Sequence, residues 1–134
     1  MLLSFKIQTK DPEELYDITE SVQNLITESG VRHGVCNVFT PHSTAAIVVM
    51  ENADPALCED FLGVMHELIP QHGYKHNKVG APNAAAHIKS AMINPNITVV
   101  VDHGRAVLGQ WQGIMFCEFD GPRTRAVHMQ VVSE

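Results

Sequence analysis

The chain has 134 residues, of which 45% are hydrophobic and 18% are charged. This length and composition fit one folded domain over residues 1–134 and argue against a disordered or fibrous protein. The formal net charge is −6, and the sequence contains no cluster of four basic residues. We therefore expect no sequence-independent binding to nucleic acid, which requires many cationic groups, whereas a few local cations can still hold a small anion.

Neither a membrane anchor nor a disulfide framework is expected from the sequence. The longest strictly apolar run covers residues 45–50, far short of the roughly 20 residues that a spanning helix needs. Cys36, Cys58 and Cys117 include no CxxC pair, so a thiolate zinc site is not indicated either. We expect a cytoplasmic protein in which the cysteines are small buried residues.

The first half of the chain alternates strand and helix patterns. Residues 3–9 alternate as a half-buried strand does, and Asp11, followed by Pro12, predicts the start of a helix that ends at Gly30. Residues 35–40 and 45–50 predict two further strands. Asp54 predicts the cap of a second amphipathic helix, which ends before Pro70.

The second half begins with a polar loop over residues 71–82 and continues with a short helix from Asn83 to Met92. A buried strand is predicted over residues 97–101, one long strand over residues 108–119, and a final strand over residues 125–132 that forms a hairpin with it. These elements predict an α+β (mixed α/β) domain, in which two to three helices cover a folded mixed β-sheet.

Common catalytic motifs are absent from the sequence. His66 and Glu67 begin an HExxH pattern, but Pro70 stands where its second histidine would be. The sequence has no phosphate-binding GxxxxGK[ST] loop and no dinucleotide fingerprint, and Ser43 lacks a GxSxG elbow. The chemistry is therefore sought among the eight histidines.

Three histidines stand at positions that suit a metal site. His42 lies at a strand break, His76 in the long loop and His87 in the short helix. Catalytic metal sites commonly take three protein ligands from different elements and leave one position open. Three imidazoles favour Zn²⁺, with Mg²⁺ or Mn²⁺ as alternatives, whereas the competing interpretation is three unrelated histidines on the surface or at the core edge.

Two other residues have both a functional and a structural interpretation. Glu51 follows six apolar residues, so its carboxylate needs a partner or exposure, and it could orient a ligand histidine or move a proton. Trp111 is the only tryptophan and could stack on an aromatic ligand or fill the core.

Arginines concentrate near the end of the chain. Arg105, Arg123 and Arg125 fall within 21 residues, and guanidinium groups bind phosphate oxygens in pairs, which favours a phosphorylated small molecule as ligand. The alternative is that Arg123 and Arg125 form ion pairs with Glu118 and Asp120 across the predicted hairpin.

Six motifs together resemble the YjbQ-like family, whose members are also called secondary thiamine-phosphate synthase enzymes. They are PHSTAA at residues 41–46, ENADP at 51–55, YKHN at 74–77, APNAAAHIK at 81–89, LGQWQGI at 108–114 and EFDGPR at 118–123. The resemblance implies a single-domain homotrimer with a metal-capable histidine cluster at His42, His76 and His87. Glu51, Trp111 and Arg123 also fall at motif positions of the family.

The activity that this resemblance implies is a transferase that joins a pyrimidine pyrophosphate to a thiazole phosphate. The catalytic residues would be Glu51, Arg105 and Arg123, and the substrate-binding residues Lys89, Trp111 and Arg125. Two alternatives stay open: a metal-dependent hydrolase with Glu51 as base, and a trimeric metal- or metabolite-binding protein without efficient catalysis.

Overall fold

The computed structural model describes residues 2–77 and 82–134, in which the chain forms eight strands and three helices. The strands are β1 (Leu2–Gln8), β2 (Glu14–Asp17), β3 (Gly34–Phe39), β4 (Ala45–Glu51), β5 (Asn96–Asp102), β6 (Arg105–Ala106), β7 (Gln112–Glu118) and β8 (Thr124–Ser133). The helices are α1 (Thr19–Ser29), α2 (Pro55–Leu68) and α3 (Ala84–Ile93). The predicted α+β class is confirmed, and the chain is a single domain.

The strands divide into two sheets. One has five strands in the order β1-β8-β3-β5-β6, and the other has three in the order β2-β7-β4. Every pairing among the described strands is antiparallel, so two antiparallel sheets stand where the sequence suggests one folded mixed sheet. The three-stranded sheet positions the candidate site, because β4 begins just after His42 and the antiparallel β7 ends beside that point.

The three-stranded sheet is covered on both faces. One face packs with α1 against the five-stranded sheet, in the main core that includes Val22, Val38, Ile47 and Phe116. The other face packs against α2 and α3 through a smaller cluster that includes Ala46 and Ala86. Burial on both faces explains why residues 45–50 form a continuous apolar run instead of an alternating one.

The prediction that a helix begins at Asp11 is wrong. Residues 14–17 form β2, which pairs with β7, and α1 begins only at Thr19. Glu14 Oε2 accepts the backbone N–H of Asp11 at 3.0 Å, as a glutamate does in a helix capping box, but here the hydrogen bond closes a turn. Pairing with a distant strand has outweighed the local helix signals.

The strand predicted over residues 108–119 is shorter in the structure, because residues 108–111 form no strand. Residues 105–106 form β6 at the edge of the five-stranded sheet, and β7 begins only at Gln112. The predicted terminal hairpin is wrong as well, because β7 and β8 belong to different sheets. The turn at residues 120–122 therefore carries the chain from one sheet to the other.

Several local predictions are confirmed. Asp54 Oδ1 accepts the N–H of Ala56 at 3.0 Å at the start of α2, and Gly30 ends α1 in the left-handed conformation with φ 73°. Residues 71–77 and 82 form no helix or strand, as expected of a loop, and residues 78–81 of the predicted loop lie outside the described residues. None of the described helices has the length and hydrophobicity needed to cross a membrane.

The three cysteines are free thiols. Cys36 and Cys117 are buried, as predicted, and Cys58 is half-buried. Burial raises the pKa of the Cys36 thiol to about 11 and raises the pKa of Cys117 further. These two cysteines are therefore inert core residues near neutral pH.

Candidate functional site

Six of the nine predicted site residues lie at two opposite ends of the three-stranded sheet. The pairing of β4 with β7 runs from Ala45 opposite Glu118 to Glu51 opposite Gln112. Six residues of extended chain separate these ends by about 20 Å. We call the first the histidine end, which comprises His42, His76, Asn83, His87, Asp120 and Arg123, and the second the tryptophan end, which comprises Glu51, Asn52 and Trp111.

His76 and His87 are in contact at the histidine end. Their ring centroids are 5.3 Å apart and the rings are nearly perpendicular, at 85°. The loop before α3 supplies His76, and the first turn of α3 supplies His87. Two of the three predicted metal ligands are thus brought together by one short segment of chain.

A chain of hydrogen bonds orients His76. Its Nε2 donates to Asn83 Oδ1 at 3.1 Å, and Asn83 Nδ2 donates to Asp120 Oδ2 at 3.0 Å. Because an amide oxygen can only accept, the hydrogen of the neutral His76 ring is on Nε2 in this arrangement. Nδ1 of His76 therefore carries the lone pair that can bind a metal or accept a proton.

Arg123 completes this network from the turn after β7. Its Nε donates to the backbone oxygen of Asp120 at 2.7 Å, and its Nη2 donates to Asp120 Oδ2 at 3.1 Å. The side chain is still 54% exposed, so its remaining N–H groups face solvent. The predicted ion pair with Asp120 exists, and it leaves the guanidinium able to contact an anion.

His42 lies near this network but is engaged differently. Two residues after His42, the backbone oxygen of Thr44 accepts the N–H of Phe119. Because Phe119 directly precedes Asp120, this bond places the His42 segment beside the network. The N–H of Ala126 donates to His42 Nε2 at 2.9 Å, so a neutral ring carries its hydrogen on Nδ1. Burial, followed by the positive charge of Arg125, lowers the pKa of His42 and favours this neutral form.

The three predicted metal ligands do not form one compact cluster in this chain. Among residues 2–77 and 82–134, the only group of three metal-binding side chains whose ligand atoms all lie within 4.8 Å of one another is His33, Asp102 and His103. This exposed group has a donor set that could hold a metal. It does not include His42, His76 or His87.

Two of the predicted substrate-binding residues lie in buried ion pairs. Lys89 Nζ lies 2.8 Å from Glu13 Oε1, and its side chain is almost completely buried. Arg125 is buried against Glu118, and its Nη2 also donates to Thr44 Oγ1 at 2.9 Å. A ligand would have to replace these partners to reach either cation.

At the tryptophan end, Trp111 is 59% exposed, so the interpretation of Trp111 as a core residue is wrong. Glu51 Oε1 accepts the N–H of Ala53 at 3.2 Å, and Glu51 Oε2 is buried without a hydrogen-bond partner among the described residues. The sequence context calls for a partner or exposure, and among the described residues this oxygen has neither; it lies about 20 Å along β4 from the histidine end.

Arg105 lines an open cleft of about 760 Å³ between α1 and β6. Asp17 and Glu20 line the same cleft, so its charge is mixed and a phosphate group would meet two carboxylates there. This cleft is larger than the cavity of about 50 Å³ beside His76, but the histidine end holds the denser set of proton- and metal-binding groups.

Sequence reasoning missed the roles of Asn83 and Asp120. Asn83 begins the predicted helix, where asparagine often acts as a cap, yet its side chain makes no capping hydrogen bond to α3 and instead holds His76. The available signal was an amide seven residues after one histidine and four before another. That spacing alone does not separate a helix cap from a residue that positions an imidazole.

Known proteins resemble the chain over almost its whole length. The family model described as "UPF0047 protein YjbQ-like" matches residues 3–134. A UPF0047 protein of Methanocaldococcus jannaschii is 39% identical over 100% of this chain and 96% of its own length. The UPF0047 protein YugU of Bacillus subtilis is 41% identical over 98% of this chain and 99% of its own length. The names of these two relatives state a family and no reaction.

Solved structures agree with the fold. A YjbQ/UPF0047 family protein from Clostridium acetobutylicum has a TM-score of 0.92 and 39% identity, covering 97% of this chain and 99% of that protein. A YbjQ-like protein of unknown function from Sulfolobus solfataricus has a TM-score of 0.94 and 33% identity, covering 100% of this chain and 97% of that protein. On sequence and fold alike, the chain belongs to the UPF0047 YjbQ-like family.

Proposed function

We propose that the chain is a metal-binding transferase of the thiamine-phosphate-synthase type that acts on a phosphorylated small molecule at the histidine end. The observation that carries the proposal is the hydrogen-bonded series from Asp120 through Asn83 to His76, with His87 against the His76 ring. A carboxylate and an amide that fix the orientation of an imidazole are typical of the groups that surround metal-binding or proton-transferring histidines.

His76 and His87 fit a divalent metal, and His42 does not fit in its observed orientation. Nδ1 of His76 is available because Nε2 is held by Asn83. Nε2 of His42 accepts from Ala126, and its other nitrogen carries the hydrogen. His76 and His87 would therefore hold the ion, with Zn²⁺ preferred over Mg²⁺ or Mn²⁺ because both donors are imidazoles. A bound ion would supply positive charge to a diphosphate group.

In the proposed reaction, the carbon–oxygen bond of a pyrimidine pyrophosphate breaks with its electron pair on the diphosphate. The thiazole nitrogen of the second substrate then forms the new carbon–nitrogen bond. Arg123 would bind phosphate oxygens through the N–H groups that Asp120 leaves free. His42 would donate a hydrogen bond from Nδ1 to the departing diphosphate, which gains negative charge in the transition state.

Hydrolysis with Glu51 as base is less well supported by this geometry. A general base must lie within hydrogen-bond reach of the water that it deprotonates, or be connected to it through one water. Glu51 lies about 20 Å from the histidine end of its own chain. It could act there only from a second copy of the chain.

We also propose that the chain assembles as a homotrimer. The outer face of the five-stranded sheet supports an assembly, because Val100, Val35 and Val132 form a row across β5, β3 and β8. They are 56%, 42% and 51% exposed, and a contiguous apolar surface of this kind often marks a protein interface. Light scattering on a size-exclusion column tests the state, and Val35→Lys is expected to shift the assembly toward smaller species.

Elemental analysis tests the metal part of the proposal. Relative to chelator-free wild-type protein, His76→Ala is expected to lose about one transition-metal ion per chain, and His66→Ala, which changes an exposed histidine on α2, is expected to lose none. Equal metal content in the two variants would contradict the assignment of His76.

The reaction is tested by incubating the protein with a hydroxymethylpyrimidine pyrophosphate and a thiazole phosphate and measuring thiamine phosphate and diphosphate. Arg123→Ala is expected to lower turnover and weaken the apparent affinity for substrate. If both values stay unchanged, the role of Arg123 is wrong. If both substrates bind and no product forms, the chain is a binding protein and the transferase proposal fails.

A further inference from the structure

A second group of histidines lies at the opposite end of β3 from His42. His33 directly precedes β3, and Asp102 and His103 lie at the turn between β5 and β6. His33 Nδ1 is 2.9 Å from Asp102 Oδ1, and His103 Nδ1 is 3.0 Å from Asp102 Oδ2. The length of β3 places this group about 17 Å from the start of the His42 segment, so it is separate from the histidine end.

The three side chains have the donors and spacing of a metal site. Donor atoms that share one ion at 2.0–2.1 Å lie about 3.0–3.4 Å from one another, close to the two nitrogen–oxygen distances observed here. The two imidazole rings stand edge to face with centroids 5.1 Å apart. Two imidazoles and one carboxylate form a donor set that suits late first-row divalent ions.

Binding would require little rearrangement. The neutral His33 ring carries its hydrogen on Nδ1 and donates it to Asp102 Oδ1, and Nδ1 of His103 lies 3.0 Å from Asp102 Oδ2. With its hydrogen on Nε2, each ring can bind a metal through Nδ1 with no net loss of a proton. All three side chains are exposed, so water has access to the remaining coordination positions.

The backbone holds the three residues in place. Gly104 N–H donates to the backbone oxygen of Arg32 at 2.9 Å, which ties the β5–β6 turn to the residue before His33. His103 has φ 51°, a left-handed conformation that is uncommon for a residue with a side chain. This backbone conformation sets the direction in which the His103 side chain leaves the turn. The N–H of Glu134 donates to the backbone oxygen of His33 at 3.0 Å, which fixes the other side.

The local charge balance allows a cation but limits its affinity. Asp102 supplies one negative charge that attracts a metal ion. The guanidinium of Arg32 lies beside Gly104, and its positive charge repels the ion. A neutral imidazole pair adds no charge. An ion bound here therefore depends on direct bonds to nitrogen, which favours Zn²⁺ over Mg²⁺ or Ca²⁺.

We propose that His33, Asp102 and His103 form a binding site for one late first-row divalent metal ion, represented by Zn²⁺. The bound ion links the start of β3 to the β5–β6 turn and stabilises the folded chain by mass action. This site is independent of the histidine end and of any reaction there.

The test uses Zn²⁺ with the full chain after metal removal, in a His76→Ala/His87→Ala background that disables the histidine end. Calorimetric titration of this background protein is expected to show one Zn²⁺ per chain. Adding His33→Gln and His103→Gln is expected to weaken binding by more than about tenfold. Adding His66→Gln and His72→Gln, two exposed histidines outside the group, serves as the matched control and is expected to leave binding unchanged.

Nuclear magnetic resonance provides a second readout that does not depend on the variants. Zn²⁺ is expected to shift the ring resonances of His33 and His103 before those of His66 and His72. The proposal is overturned if the background protein binds no Zn²⁺, if the His33/His103 variant binds as well as its control, or if these two rings do not respond. Failure of the histidine end to bind metal in the wild-type protein would leave these results unaffected.

Discussion

Glu118 and Arg125 form an ion pair that joins the two sheets, with side chains that are 0% and 3% exposed. Glu118 ends β7 of the three-stranded sheet, and Arg125 lies on β8 of the five-stranded sheet. Thr9 Oγ1 donates to Glu118 Oε1 at 2.7 Å, so the carboxylate has further hydrogen bonds besides those of the guanidinium. A buried pair with satisfied polar atoms fixes how the two sheets meet.

Removing one partner of this pair is expected to destabilise the fold strongly. Glu118→Gln leaves the Arg125 charge buried without compensation, which costs about 3–5 kcal/mol of the free energy of unfolding. Chemical denaturation of the variant and wild type measures the difference. The matched control is Arg123→Gln, which removes an exposed ion pair and is expected to cost about 0–1 kcal/mol. Similar losses in the two variants would contradict this prediction.

The start of α1 is expected to weaken in acid. Burial alone would raise the pKa of Asp17, but hydrogen bonds from Thr19 and Asn52 outweigh burial and hold the pKa below its ordinary value. A group with a lowered pKa in the folded state adds stability above its unfolded pKa and loses it as the pH falls through the folded pKa. The stability difference between wild type and Asp17→Asn should therefore be constant above about pH 5 and shrink in more acidic solution.

Carboxyl resonances of Asp17, followed by nuclear magnetic resonance, check this prediction directly. Asn52→Ala removes one donor, the Nδ2 group at 2.9 Å from Asp17 Oδ2, and is expected to raise the Asp17 midpoint while α1 remains folded. An unchanged midpoint would mean that the Asn52 hydrogen bond does not contribute to the lowered pKa.

Asn83 is expected to matter for metal binding more than for folding. Its side chain does not cap α3, so Asn83→Ala should leave the helical content unchanged. The same change frees the His76 ring to rotate and is expected to lower the Zn²⁺ affinity of the histidine end by about 10- to 100-fold. Titration calorimetry in a His33→Gln/His103→Gln background measures the affinity of the histidine end alone, with the exposed Asn24→Ala on α1 as control. An equal effect of the two changes would rule out a positioning role for Asn83.

Two glycines are expected to respond in opposite directions to substitution by alanine. A Cβ on Gly34 would lie 1.9 Å from the backbone oxygen of Val132 on the paired strand, which cannot move aside, so Gly34→Ala is expected to cost about 1–3 kcal/mol or more. A Cβ on Gly63 in α2 meets nothing within 4 Å, and Gly63→Ala is expected to stabilise by about 0.5–1 kcal/mol. Thermal unfolding of the two variants should shift in opposite directions.

Local signals in the sequence were sufficient for elements bounded by caps. Asp54 and Pro55 located α2, and Gly30 located the end of α1, because these residues act on neighbouring backbone groups. β2 was missed because its reason for being a strand is its partner β7, about 100 residues away. Strand pairing at that separation leaves no local trace in a four-residue segment.

The candidate site shows the same division. His76 and His87 are both candidates from the sequence, and their contact follows from one loop and one helix turn that are adjacent in sequence. The separation of Glu51 from the histidines depends on the register of β4 against β7. Register is a property of the folded sheet, so residue types and spacing could not place Glu51 at the opposite end.

The buried ammonium group of Lys89 provides a natural probe of local opening of the fold. Amine-reactive reagents modify exposed lysines at once but can reach Nζ of Lys89 only when α3 separates from Glu13. The rate of Lys89 modification would thus measure how often this part of the molecule opens in otherwise native protein. A ligand that holds α3 in place would slow the modification of Lys89, and a ligand that separates Lys89 from Glu13 would accelerate it.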